Sequence, residues 1–203
     1  MSLAKTLWEA NTDLAERILA HGFVRGLADG SLPINSFKGY VAQDAYFLEA
    51  FARAYAFCLA YSTSREDIES FADLIAGVRA ELELHKSYAQ RWQVELGGVM
   101  PIAATTAYVG FLLETAELGD LGETIAAMTP CMRLYAFLGR SLAAREVAPL
   151  YDEWIKTYAD PDFEALAVRL EELLDRHATD SPPVRANYRR AMELEYGFFD
   201  ANC

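Results

Sequence analysis

The chain has 203 residues, of which 53% are hydrophobic, 12% aromatic and 24% charged. That length fits one domain, and that apolar share builds a sizeable core, which excludes a disordered chain and a disulfide-held miniprotein. Thirty acidic against eighteen basic residues leave a net charge of −12, which argues against nucleic acid and anionic membrane surfaces, since both are bound largely through their phosphates.

The longest fully apolar run, Ala54 to Tyr61, falls far short of the roughly 20 residues a membrane span needs. Met1 to Lys5 starts an amphipathic helix and lacks the apolar stretch of a signal peptide, so the cytoplasm is the expected location. The three cysteines, Cys58, Cys131 and Cys203, are widely spaced, as suits reduced thiols. None stands at zinc-ligand spacing from another Cys or a His.

In chain order the hydrophobic period reads as helix throughout. The first helix is predicted over Leu3 to His21, with Leu7, Trp8, Leu14, Ile18 and Leu19 as its stripe and Gly22 ending it. Phe23 to Leu27 is a short helical piece and Asp29-Gly30 a turn. Pro33 then sits near the first turn of a long helix, Ile34 to Tyr61, where its missing N–H does no harm. Ser62-Thr63-Ser64, followed by Glu66 and Asp67, starts a helix running to about Leu96, and Gly97-Gly98 stops it. Pro101 opens a helix over Ile102 to Leu118, with a break at Gly119-Asp120.

Leu121 to Arg145 is helical with Pro130 inside, which removes one backbone hydrogen bond and bends the axis. Val147 to Tyr158 is predicted helical, Asp160-Pro161 turns the chain, Phe163 to His177 is amphipathic, and Ser181-Pro182-Pro183 starts a last helix ending near Cys203. No stretch alternates with the period of a strand. The expected fold is all-α, one domain over residues 1–203, a bundle of about eight helices.

Four places in this pattern carry potential chemistry. Asp44 falls in the apolar register of its helix between Val41 and Phe47. A buried lone charge costs several kcal/mol or more, so Asp44 needs a protein donor, a metal or a ligand; a core Tyr or Arg, or a neighbouring helix end, would serve. Cys131 and Tyr135 are four apart and share a helix face beside the Pro130 kink. The cysteine is either a small core residue or a thiol facing a ligand.

Glu195 shares a face with Tyr188, Met192 and Phe199. Desolvation there would raise its pKa, which suits a general acid or base, although a salt bridge to a helix end is the plainer reading. Tyr108 and Tyr158 are weaker signals, since a buried Tyr commonly bonds a carbonyl. There is no phosphate-binding glycine loop, no dinucleotide fingerprint and no Glu-x-x-His pair. Glu81 and His85 are spaced at four, and the other histidines are His21 and His177. No metal site is expected. His21 is expected to interact with the C-terminus of the first helix.

Together these pieces resemble the TenA/thiaminase II family. The resemblance is carried by Asp29-Gly30-x-Leu32-Pro33, Gln43-Asp44-x-x-Phe47, Thr106-Ala107-Tyr108, Pro130-Cys131-x-x-x-Tyr135, Tyr151-x-x-Trp154-Ile155-x-x-Tyr158 and Glu195-Tyr196-x-Phe198-Phe199-Asp200, in order over nearly the whole chain. It implies a haem-oxygenase-like helical bundle without haem or other cofactor, a homotetramer, and hydrolysis of 4-amino-5-aminomethyl-2-methylpyrimidine to the hydroxymethylpyrimidine in thiamine salvage, with cleavage of thiamine as well.

By the same resemblance Cys131 is the nucleophile and Glu195 the acid/base. Asp44 binds the pyrimidine's amino group and ring nitrogen, and Tyr108, Tyr135 and Tyr158 line the pocket. One position departs: many members have a stacking Tyr where this chain has Phe47, which keeps the stacking and loses a hydroxyl. Tyr46 is about 200° round the helix from Asp44 and does not replace it. Cys131 places the chain in the Cys-bearing group. The competing readings are a cofactorless oxidase like the pyrroloquinoline quinone synthase, which would call for more His and Arg, and a non-catalytic pyrimidine-binding or regulatory protein.

Overall fold

A computed structural model describes residues 2–118 and 120–203; Met1, and Gly119 of the predicted break, lie outside the described residues. Ten α-helices form among them: α1 (Leu3–Glu9), α2 (Thr12–Leu19), α3 (Gly22–Asp29), α4 (Ile34–Tyr61), α5 (Arg65–Trp92), α6 (Ala103–Glu117), α7 (Leu121–Ala143), α8 (Asp152–Ala159), α9 (Pro161–His177) and α10 (Pro182–Ala201). A 3-10 turn, Pro149–Tyr151, precedes α8. No strand occurs among the described residues, and no helix there is long and apolar enough to cross a membrane.

Helix α4 has the bounds its pattern predicts. The differences elsewhere have local causes. The single first helix divides in two because the buried Asn11 side chain donates back to the Leu7 carbonyl at 2.8 Å, competing with the helical backbone. Helix α5 stops at Trp92, where Gln93 takes a left-handed φ of 55°, before Gly97-Gly98 is reached. The segment predicted helical from Val147 is α-helical only from Asp152, because the residue before a proline avoids the α region and Ala148 is held extended. The division of the first helix, together with the short piece at Phe23 to Leu27 forming the helix α3, raises the count from about eight helices to ten.

The long helices α4 and α7 form the centre. Helix α7 packs against α4, α6, α8, α9 and α10, and α4 against α5, α6 and α7. Between them the core is dense in aromatic rings: Tyr40 stacks on Phe199 at a centroid distance of 6.1 Å, and Tyr135 sits edge-on to Tyr158 at 4.8 Å. Gln43 ties α4 to the start of α6. Its amide donates to the Met100 carbonyl, and its Oε1 accepts from the Ile102 N–H and the Thr105 hydroxyl.

Candidate active site

The bundle holds a small, narrow cavity where α4, α5, α7, α8 and α9 meet. Helix α4 contributes Asp44 and Phe47, with Leu48 and Phe51 deeper along the same face. Helix α7 contributes Cys131, Met132 and Tyr135, α8 contributes Tyr158, and Glu81 and Phe163 close the remaining sides. Five candidates from the sequence thus share one chamber: Asp44, Phe47, Cys131, Tyr135 and Tyr158.

The other two candidates, Tyr108 and Glu195, stand immediately behind Cys131. The Tyr108 hydroxyl donates to Glu195 Oε1 at 2.8 Å, and the Glu195 carboxyl faces the Cys131 thiol. The ring of Tyr108 packs on Phe47 at 4.6 Å, so this pair also supports the aromatic wall.

The partner Asp44 requires is a histidine. His85 Nε2 lies 2.7 Å from Asp44 Oδ2, and His85 Nδ1 lies 2.9 Å from the Glu81 carbonyl. A carbonyl and an ionised carboxylate can only accept, so both ring nitrogens donate and His85 is an imidazolium. Burial alone would lower its pKa, but the hydrogen bond and charge of Asp44, helped by Glu81, outweigh that and raise it to about 9. A buried ion pair therefore holds Asp44 charged on the chamber wall.

The remaining acids and the thiol are pushed the other way. Burial, reinforced by Asp44, raises Glu195 to about 8, although the Tyr108 and Cys131 hydrogen bonds oppose the rise. Burial and the charge of Asp44 raise Glu81 to about 7, against the opposing effects of His85 and Tyr158; the Tyr158 hydroxyl donates to Glu81 Oε1 at 2.5 Å. Burial, then the carboxyls of Glu195, Glu81 and Asp44, hold the Cys131 thiol well above the ordinary thiol range. Cys131 is thus a neutral thiol at rest, with a carboxyl placed to take its proton.

Reading the sequence missed Glu81, His85, Met132 and Phe163. Of these His85 did carry a signal, because Asp44 had an unmet demand for a donor. His21 does not serve the C-terminus of the first helix. It caps the N-terminus of α3, where its Nδ1 accepts from the Phe23 N–H at 3.2 Å, because the chain breaks there and leaves N–H groups needing acceptors.

Comparison with known proteins bears on this arrangement. Residues 8–203 match the profile of the TENA/THI-4/PQQC family. The chain is 35% identical over 185 residues to the aminopyrimidine aminohydrolase of Halalkalibacterium halodurans, covering 88% of this chain and 83% of that one. It is 29% identical to the protein of the same name from Bacillus subtilis, covering 98% and 85%. Among solved structures, a TenA family transcription regulator from Silicibacter superposes with a TM-score of 0.92 at 30% identity, covering 99% of this chain and 96% of that one. The fold is that of the haem-oxygenase-like bundles. With the match running from Trp8 to the last residue, the chain belongs to the TENA/THI-4/PQQC family.

Proposed function

We propose that the protein hydrolyses 4-amino-5-aminomethyl-2-methylpyrimidine to 4-amino-5-hydroxymethyl-2-methylpyrimidine, as a thiamine-salvage enzyme, and that it also cleaves thiamine. The observation that carries this reading is the contact of Cys131 with Glu195 at the wall of an aromatic chamber that holds a charged Asp44. The names of the relatives from Halalkalibacterium halodurans and Bacillus subtilis agree with it.

The bond to be broken joins an exocyclic CH2 to nitrogen, and water displaces such an amine poorly. With Glu195 at about 8, only its minor ionised form near neutral pH takes the Cys131 proton, while the sulfur bonds the ring carbon beside the substituted one. The ring's electron pair shifts toward the CH2, the C–N bond breaks, and Glu195 gives the proton to the departing amine. Glu195 next takes a proton from water as the water oxygen bonds the exocyclic methylene. The ring double bond reforms, the C–S bond breaks, and the sulfur recovers its proton. One hard displacement thus becomes two easier steps.

Asp44 takes the amino group and ring nitrogen of the pyrimidine and supports the positive charge that makes the ring electrophilic. Phe47 and Tyr135 flank the ring, Tyr158 closes the chamber, and Tyr108 orients Glu195. The reading needs no metal or organic cofactor. It treats residues 1–203 as one catalytic domain acting in the cytoplasm as a homotetramer, as the family resemblance implies.

The test is chromatography of the hydroxymethylpyrimidine after purified protein meets the aminomethylpyrimidine and, separately, thiamine. Product from the aminomethylpyrimidine is expected. A folded protein that binds it and forms no product would favour the binding-protein reading.

A further inference from the structure

Forming a thiolate at Cys131 is costly where the thiol stands. Burial opposes it first, and the carboxyls of Glu195, Glu81 and Asp44 oppose it further. A sulfur that gives up its proton there calls for a hydrogen-bond donor, because a buried charge without one is strongly disfavoured. Several hydroxyls nearby are committed elsewhere. Tyr108 donates to Glu195 at 2.8 Å, Tyr158 to Glu81 at 2.5 Å, and Tyr40 to Tyr135 at 3.2 Å.

Tyr55 differs from these. The residue is buried, and its hydroxyl has no hydrogen-bond partner among the described residues. A buried tyrosine hydroxyl ordinarily finds one, so an unpaired one calls for a reason. Tyr55 lies on α4 one turn beyond Phe51, and the two rings meet edge-on at 4.9 Å. Phe51 and Cys131 line the same chamber. Long side chains on a helix lean toward its N-terminus, and on α4 that direction carries the Tyr55 hydroxyl back toward the chamber.

Burial, then Cys131, Cys58 and Glu81, hold the Tyr55 hydroxyl well above the ordinary phenol range, so it keeps its proton and remains a donor. Cys58 follows on the C-terminal side of Tyr55, away from that lean. Burial pushes the Cys58 thiol up to about 12, so it offers no competing thiolate.

We propose that Tyr55 is a further catalytic residue: its hydroxyl donates a hydrogen bond to the sulfur of Cys131 as Glu195 takes the thiol proton. The S–H bond breaks, the proton moves to the Glu195 carboxylate and the electron pair stays on sulfur, while the O–H bond of Tyr55 stays intact. The donor is in place before the charge appears. This deepens the hydrolase reading and rests on it.

Tyr55→Phe removes the hydroxyl and little else. With the aminomethylpyrimidine its kcat should fall about 10-fold and its KM stay within about 2-fold. Its melting temperature should stay at or above that of wild type, because an unpaired buried hydroxyl has gone. A residue that only packs would lose activity by losing stability, so a lower melting temperature, or an unchanged kcat, would overturn the proposal. Reaction of Cys131 with methyl methanethiosulfonate needs no turnover. Followed by mass spectrometry of the Cys131 peptide at about pH 8, its rate should fall at least ~3-fold in Tyr55→Phe, since the thiolate fraction drops more than the thiolate's reactivity rises. Equal rates in the two proteins, no reaction in either included, would overturn the assignment even where the pyrimidine is hydrolysed. A slower thiol in Tyr55→Phe, in a protein that forms no hydroxymethylpyrimidine, would keep the thiolate donor and sink the hydrolase reading instead.

Discussion

Asp44 and His85 set the charge of the chamber wall. With a 2.7 Å contact and both side chains buried, neither group has water to turn to. In Asp44→Asn the main attraction that lifts His85 disappears and burial is opposed by Glu81 alone, so the imidazole pKa should drop clearly from about 9. Titration followed by imidazole NMR reads this, and an unchanged value would show that Asp44 does not hold the proton there. Glu195 is argued to move every proton of the reaction, so Glu195→Gln should lower kcat about 10²–10⁴-fold with little change in substrate affinity, measured by steady-state kinetics beside ligand titration. At this scale the sequence exposed the need of Asp44 for a partner, because a carboxylate in an aromatic stripe cannot stand alone. It did not expose which residue meets the need, because His85 comes from a different helix, and only packing brings α4 and α5 into register.

The helices matter through how closely they approach. Gly139 on α7 lies against the backbone of α8, and a Cβ there would come within 2.3 Å of the Tyr158 carbonyl carbon. No flexible side chain can yield at that contact, so Gly139→Ala must push α8 away and carry Tyr158 off the chamber. The expected cost is about 1–3 kcal/mol by denaturant unfolding, as for other overpacked interiors, with a parallel loss in kcat/KM; wild-type values for both would contradict the packing argument. Elements of this kind were legible where a long apolar period decides the matter, as in α4. They were not legible where one side chain or one proline competes with the helix, as Asn11 does with its bond to Leu7 and Pro149 does through Ala148.

Three ionisable groups buried around the chamber bias stability in one direction. His85 rises from 6.5 to about 9, Glu195 from 4.5 to about 8 and Glu81 from 4.5 to about 7. In each case the folded state holds the proton more firmly than the unfolded chain. The contribution is therefore fully present below the unfolded value and is lost as pH rises through the folded one. The melting temperature should fall steadily between about pH 5 and pH 9, and a net charge of −12 adds self-repulsion over the same range. Calorimetric scans would contradict this if stability rose with pH there. The overall fold class was legible because no strand pattern competes anywhere in the chain. The chamber's second acid was not, because Glu81 looks like any helix-surface carboxylate until Tyr158 and Asp44 are placed beside it.

The account stands or falls on covalent catalysis by Cys131. The direct measurement is the rate of hydroxymethylpyrimidine formation from the aminomethylpyrimidine by wild type and by Cys131→Ala at equal concentration, with folding of both checked by circular dichroism. The account predicts steady product from wild type and a fall of at least ~100-fold in the variant. Equal rates would contradict it, leaving the chamber and its charged Asp44 in place and removing the thiol from the chemistry.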